Sequence, residues 1–170
     1  MATNYELFYQ ENPHGLGEPT KEFVAFFDSY DRKCACVLDV GCGQGRDALF
    51  IARLGHSVKA VDNSPTGIRD LQANATKEKL QICTEVADVR DCQWGGPFDV
   101  IVIDRTLHML AEEERLSVLR DIIAATKSGS HLLIADERRN LPAFKAELKA
   151  SPGEWGVVLE RRGFLFCKRE

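Results

Sequence analysis

Apolar residues along the chain gather into short runs rich in β-branched side chains, separated by stretches of helical period. The runs Ala35–Asp39, Ser57–Val61, Gln81–Val86, Phe98–Ile103 and His131–Ala135 predict five strands. Their near-continuous apolar character predicts a parallel sheet covered on both faces. The segment from about Glu18 to Tyr30 carries Phe23, Val24, Phe26 and Phe27 at near-helical spacing and predicts a helix leading into the first strand. The next helix opens around Gly45, runs through Ala48, Leu49, Ile51, Ala52 and Leu54, and ends at Gly55. Ser64 followed by Pro65 marks a third helix start, because the hydroxyl can cap free amides and proline fixes the first helical dihedral. Residues Glu112 to Lys127 predict a fourth, with acids in the first turn and Lys127 then Gly129 at the end. A last helix is expected over Leu141 to Ala150. The runs Gly156–Leu159 and Phe164–Cys167, joined by Glu160-Arg161-Arg162-Gly163, predict an antiparallel hairpin. The expected fold class is therefore α/β: a doubly wound, mostly parallel, seven-stranded-type sheet with helices on both faces and a short antiparallel C-terminal hairpin.

Composition narrows the function. The 170 residues are 44% hydrophobic and 28% charged, which suits one domain, 1–170, with residues 1–30 as an amino-terminal lid and helix. A formal net charge of -4 gives no global positive field to hold a polyanion, so a nucleic-acid partner is not expected. No basic start with an apolar run opens the chain, and no apolar stretch approaches the roughly 20 residues that span a bilayer, so a cytoplasmic protein with no membrane partner is expected. The six cysteines lack paired metal-ligand spacing and read as reduced, mostly buried thiols. Cys34 and Cys36 would share one face of a strand, which leaves a redox or metal role open there.

The strongest chemical signal is Val37-Leu38-Asp39-Val40-Gly41-Cys42-Gly43-Gln44-Gly45 at the end of the first strand, followed by Arg46-Asp47-Ala48-Leu49. Glycines there let the backbone turn sharply and approach a ligand closely, at a helix start where free amides point outward. Asp62 ends the second strand, where a carboxylate can accept both hydroxyl hydrogens of a ribose. Asp88 ends the third. A phosphate-binding loop of the GxxxxGK[ST] type is excluded, since Gly45 is followed by Arg46 and Asp47.

From about Val37 to Ile134 the sequence resembles the Rossmann-like S-adenosylmethionine-dependent methyltransferases. LDVGCGQG resembles their cofactor loop, with Asp39, Gly41, Gly43 and Gly45 at its acidic and glycine positions and Cys42 among them. VDNSP resembles the second motif, Asp62 matching the ribose-binding acid with Asn63 beside it. Asp88 and Val89 in ADVRD look like the adenine-flanking pair. FDVIVIDRTLHML resembles the fourth motif, whose Asp104 to His108 segment borders the place where sulfonium and substrate meet. The GxGxG spacing is similar to the methyltransferase loop, whereas dinucleotide oxidoreductases usually carry GxGxxG. The start Tyr5-Glu6-Leu7-Phe8-Tyr9, the segment Gly15-Leu16-Gly17-Glu18-Pro19 and GQGRDALFIARLGHSV look like the tellurite-resistance and thiopurine methyltransferase group. That resemblance implies S-adenosyl-L-methionine as cofactor, a small-molecule acceptor such as a thiol, chalcogen oxyanion or hydroxyl, and an amino-terminal segment folded over the cofactor. The carboxy-terminal half is shorter than in those relatives.

Methyl transfer to a soft or ionised nucleophile needs positioning and desolvation more than a base. For a protonated acceptor His108 is the candidate base, since imidazole titrates near neutral pH, against the alternative of a packed loop histidine. Asp104 is a candidate for orienting cofactor or substrate, or else a strand-end cap. Tyr5, Tyr9 and His14 either line a lid or simply pack. Carboxylates of Asp104, Asp136 and Glu137 at strand ends leave open a magnesium-assisted, catechol-type O-methyltransferase. Trp94 and Trp155 read as packing residues, and Arg138-Arg139 as a solvated loop. A nucleic-acid or protein methyltransferase lacks support, because Asp104-Arg105-Thr106-Leu107 is not an NPPY-like segment. A non-catalytic S-adenosylmethionine-binding protein is the remaining alternative.

Overall fold

The computed structural model describes residues 4–12, 15 and 17–170. They fall into two compact units that divide after Asp88. In the first, β1 (Cys36–Val40), β2 (Ser57–Asp62) and β3 (Ile82–Val86) pair in parallel in the order β3-β2-β1. Register runs from Cys36 against Ser57 to Val40 against Val61, so the glycine turn and Asp62 emerge together at the carboxyl ends. Four helices accompany these strands: α1 (Tyr5–Glu11), α2 (Lys21–Asp28), α3 (Arg46–Arg53) and α4 (Pro65–Glu78). Val37, Leu38, Val40, Ala60 and Val61 are fully buried, which is why β1 and β2 read as unbroken apolar runs. Strand β3 is largely uncovered, with Val86 52% exposed.

The second unit contains β4 (Phe98–Asp104), a 3₁₀ turn (Leu107–Met109), α5 (Glu112–Ala124), β5 (Thr126–Ala135), α6 (Leu141–Ala150), β6 (Trp155–Arg161) and β7 (Phe164–Arg169). Strand order is β4-β5-β7-β6, with β4 and β5 parallel and β7 antiparallel to both neighbours. The fold class read from the sequence is the one observed: seven strands among the described residues, mostly parallel, with an antiparallel hairpin at β6 and β7.

Local chemistry accounts for the element ends. The Ser64 hydroxyl accepts the Gly67 N–H at 2.9 Å at the start of α4, with Pro65 in its first turn. Glu114 reaches back to accept the Ala111 N–H at 3.1 Å at the start of α5. Several expectations are corrected. Helix α5 stops at Ala124 rather than Lys127, and β5 starts at Thr126 rather than His131. There the Thr126 hydroxyl donates to the Ile123 carbonyl at 2.6 Å, and Lys127 leaves the helix to pair with buried Asp99 at 2.8 Å. The register against β4 jumps between Phe98 and Val100, so Gly129, at φ 82°, sits in an irregular strand instead of behind a helix. Residues 5–11 form a separate helix that apolar periodicity alone did not single out. The thiols are mostly not buried: Cys34, Cys36 and Cys83 are exposed, Cys92 is half-buried, and Cys42 and Cys167 are buried. Cys34 has φ 51° and lies outside β1, so strand alternation does not pair it with Cys36. Among the described residues, no helix is long and apolar enough to cross a membrane.

Candidate functional site

The turn after β1 is built by three residues with positive φ, Gly41 (73°), Gly43 (53°) and Gly45 (84°), a region that side chains disfavour. Gly41 and Cys42 donate their amides to the Val61 carbonyl at 2.8 and 3.0 Å, which ties the turn to the end of β2. Gly45 is needed for packing as well as for its dihedral. A β-carbon there would lie 2.3 Å from Leu71 Cδ1 of α4. Asp39, one residue before the end of β1, is buried, and so is Cys42. Burial, with Asp39 and Asp62 nearby, pushes the Cys42 thiol well up and keeps it neutral.

Asp62 is the hinge of this arrangement. Its Oδ2 accepts the Gly43 N–H at 2.8 Å and its Oδ1 accepts the Ser64 N–H at 2.8 Å. The carboxylate is 9% exposed, and burial raises its pKa while the amide bonds oppose the rise. A carboxylate has about four lone-pair sites, so each oxygen can accept a further hydrogen bond.

The amino-terminal arm closes on the same loop. Glu6 of α1 accepts hydrogen bonds from the Ser64 hydroxyl, from the Thr66 hydroxyl at 2.6 Å and from the Thr66 N–H at 3.2 Å, at the start of α4. These bonds, Ser64 foremost, hold its carboxyl down at about 2. Gln44 accepts the Gly15 N–H at 3.1 Å and donates to the Asn12 carbonyl at 3.2 Å and Asp70 at 3.0 Å. Asp47, buried beside Arg46, accepts the Thr20 N–H at 3.3 Å. Tyr9 is buried, and burial with the nearby Asp62 carboxylate raises its hydroxyl pKa. Tyr5 is half-buried against Phe8 and Tyr9, with ring centroids 6.3 and 5.8 Å away. His14, grouped with these tyrosines from the sequence, lies outside the described residues. The roles of Glu6, Gln44 and Asp47 were not read from the sequence, because their partners are 26 to 60 positions away. Only the Ser64-Pro65 helix start marked where Glu6 would land.

In the second unit, Asp104 ends β4, and Arg105, at φ 54°, turns the chain and donates its N–H to the Ala135 carbonyl at 2.8 Å. His108 sits in the 3₁₀ turn, half-buried, and its N–H donates to Asp136 Oδ2 at 3.0 Å. Asp136 also accepts the Glu137 N–H and Asn140 Nδ2–H, both at 2.7 Å. That carboxylate thus accepts three N–H donors, one from a side chain and two from the backbone. Among the described residues, no group of three or more His, Cys, Asp or Glu side chains is placed to hold a metal ion. Trp94 is buried, and Trp155 donates its indole N–H to the Ser151 hydroxyl at 3.0 Å, in line with packing roles. Arg138 and Arg139 are exposed, and Arg139 pairs with Glu137 at 2.6 Å.

A glycine turn from a parallel strand into a helix, clamped by a buried acid ending the next strand, defines an α/β domain of the nucleotide-cofactor-binding class. Residues 37–129 match the sequence profile of the methyltransferase domain, and the chain belongs to that family. It is 33% identical over 98 residues to a probable S-adenosyl-L-methionine-dependent methyltransferase, TehB, of Haemophilus influenzae, covering 58% of this chain and 34% of that protein. It is 30% identical over 152 residues to ribosomal protein L11 methyltransferase of Thermotoga petrophila, covering 87% of this chain and 53% of that protein. The chain thus spans between about a third and a half of the length of these curated relatives. In fold it is similar to a TehB-like SAM-dependent methyltransferase from Corynebacterium glutamicum, with TM-score 0.76, 22% identity and 98% of each chain covered.

Proposed function

We propose that the chain is a cytoplasmic S-adenosylmethionine-dependent methyltransferase, working as one domain over 1–170, whose acceptor is a small molecule: a thiol, a chalcogen oxyanion or a hydroxyl. The observation that carries this reading is the Asp62 carboxylate, clamped by the Gly43 and Ser64 amides with lone pairs left to accept two ribose hydroxyls. Bound S-adenosylmethionine supplies a methyl group on a positively charged sulfonium.

Asp39, Gly41, Cys42, Gly43, Gly45 and Asn63 form the rest of the cofactor cradle in this reading, and Asp88 and Val89 flank the adenine. Asp104 orients the methionine end or the acceptor, and His108 accepts a proton when the acceptor is a hydroxyl or protonated thiol. For an ionised thiol or an oxyanion lone pair no base is needed, and positioning with exclusion of water supplies the acceleration. A small acceptor is supported by the net charge of -4, by the Asp104-Arg105-Thr106-Leu107 segment after β4, and by the similarity to TehB proteins. The relative named for ribosomal protein L11 makes a protein acceptor the outcome to test against.

Calorimetric titration of the wild type and of Asp62→Ala with S-adenosylmethionine, S-adenosylhomocysteine and NAD tests the cofactor. Selective binding of both adenosyl ligands, weakened by loss of Asp62, is expected; preference for NAD, or no adenosyl binding, overturns the reading. Transfer of labelled methyl from S-adenosylmethionine to a panel of thiols, selenite, tellurite, phenols and L11 protein then decides the acceptor class.

A further inference from the structure

Asp136 follows β5, is only 9% exposed, and has both carboxylate oxygens committed. Oδ2 accepts the main-chain N–H of His108 at 3.0 Å, while Oδ1 accepts the Glu137 N–H and the Asn140 Nδ2–H at 2.7 Å. Its own N–H donates to the Gly163 carbonyl at 2.8 Å, within the turn between β6 and β7. One buried carboxylate therefore ties the 3₁₀ turn after β4 to the start of α6, and its backbone is fixed by the hairpin. Charge-assisted bonds of this kind are shorter and stronger than neutral ones.

The His108 side chain has no such tether. Its Nδ1 is buried without a hydrogen-bond partner among the described residues. With no hydrogen bond at Nδ1, the placement of the half-buried imidazole depends on its packing and on the main chain that carries it. That main chain is held by fully buried Leu107, by the turn bonds from Met109 N–H to the Thr106 carbonyl (3.2 Å) and from Leu110 N–H to the Leu107 carbonyl (3.0 Å), by Arg115 donating to the Leu110 carbonyl (2.7 Å), and by the bond to Asp136. Arg105 N–H, donating to the Ala135 carbonyl at 2.8 Å, fixes the start of the segment on the end of β5, and the bond to Asp136 fixes His108 itself there.

We propose that Asp136 is a positioning residue, whose carboxylate fixes the 3₁₀ turn and thereby the orientation of the His108 imidazole toward the methyl acceptor. This rests on the reading of His108 as the acceptor-side base. Asp136 itself touches no reacting group and transfers no proton.

The test compares wild type, Asp136→Asn, Asp136→Asn with Asn140→Asp, and Asp136→Glu. Asparagine offers one acceptor oxygen; directed at Glu137 and Asn140, it turns its NH₂ toward the His108 N–H and releases the turn. In the swapped pair the amide NH₂ faces the carboxylate introduced at position 140 and its oxygen faces His108, so the link to the turn is restored while the Glu137 N–H loses its acceptor. Three readouts are taken: affinity for S-adenosylmethionine, kcat and KM with phenol and with an aliphatic thiol, both protonated at neutral pH, and the imidazole resonances of labelled His108. Asp136→Asn is expected to lower kcat about 10- to 100-fold, as misplaced groups do, with unchanged cofactor affinity and a displaced or broadened His108 signal. The swapped pair recovers the His108 signal and part of kcat. Asp136→Glu, which keeps the charge and moves it by one methylene, gives the same split if Asp136→Asn does not fold. Wild-type kcat with an unmoved His108 signal in either single variant overturns the proposal, as does a loss in the swapped pair equal to that in Asp136→Asn. His108→Ala separates the two readings. If its kcat is that of the wild type, the base assignment fails, while the His108 resonances in the Asp136 variants still report whether Asp136 sets the turn.

Discussion

Asp62 accepts the main-chain N–H of Gly43 at 2.8 Å across 19 positions of sequence, so the acid that ends β2 holds the glycine turn that follows β1. The same carboxylate anchors Ser64, the cap of α4. Loop shape, helix start and proposed ribose contact therefore depend on one side chain.

Replacing Asp62 by alanine leaves the Gly43 and Ser64 amides without their acceptor, and hydrogen bonds to charged groups contribute about 1.5–3 kcal/mol each. The variant is expected to unfold at lower urea and to bind S-adenosylmethionine about 10-fold or more weakly; Asp62→Asn, which keeps one acceptor oxygen, falls between. Urea unfolding and calorimetry on the same samples check both effects. Wild-type affinity in Asp62→Ala would remove Asp62 from the cofactor site.

Gly45→Ala combines a left-handed dihedral of 84° with a methyl 2.3 Å from Leu71 Cδ1. The expected destabilisation is about 2–4 kcal/mol, from the dihedral and the overpacking together. Adding Leu71→Ala opens space for the methyl, so the double variant is less unstable than the sum of the two single changes. Strict additivity in equilibrium unfolding would contradict the contact.

Glu6 has its pKa lowered to about 2 by the Ser64 and Thr66 bonds, below the ordinary 4.5. A depressed carboxyl contributes stability that is fully present above the unfolded value and is lost as pH falls from about 4.5 through about 2. Stability measured from pH 6 down to pH 2 should fall less steeply in Glu6→Gln than in the wild type. Parallel curves would show that the arm is not docked through this carboxylate in solution.

His56 is buried, with Nδ1 accepting the Ala35 N–H at 3.1 Å and the rings of Phe27 and Tyr30 centred 5.5 and 6.1 Å away, and burial foremost lowers its pKa. A depressed imidazole favours the folded state above its unfolded value near 6.5, and that contribution is lost as pH falls from there toward the folded value. The wild type should lose stability between pH 7 and pH 5 more steeply than His56→Gln. His131, also lowered by burial, adds a slope of the same sign that both proteins share. A steeper loss in the variant would refute the assignment.

The sequence by itself determined the features whose cause is local. Runs of β-branched residues announced β1 to β5, the Ser64-Pro65 pair announced α4, and the glycines at 41, 43 and 45 with Asp62 announced the cofactor loop. In each the signal and the structure it produces lie within a few residues of one another, or at the ends of adjacent strands. Tertiary structure decided the rest. Nothing near Thr126 forbade one more helical turn until Lys127 found Asp99 on β4. Tyr5–Glu11 drew little from apolar period, because much of its anchorage is Glu6 bonding to Ser64 and Thr66 some 60 positions on. Asp136 resembled any exposed strand-end acid until folding buried it and brought the His108 N–H, 28 positions away, against its carboxylate. Hydrogen bonds between distant segments leave no periodic trace in the chain, since each end is an ordinary polar residue until the backbone brings its partner within 3 Å.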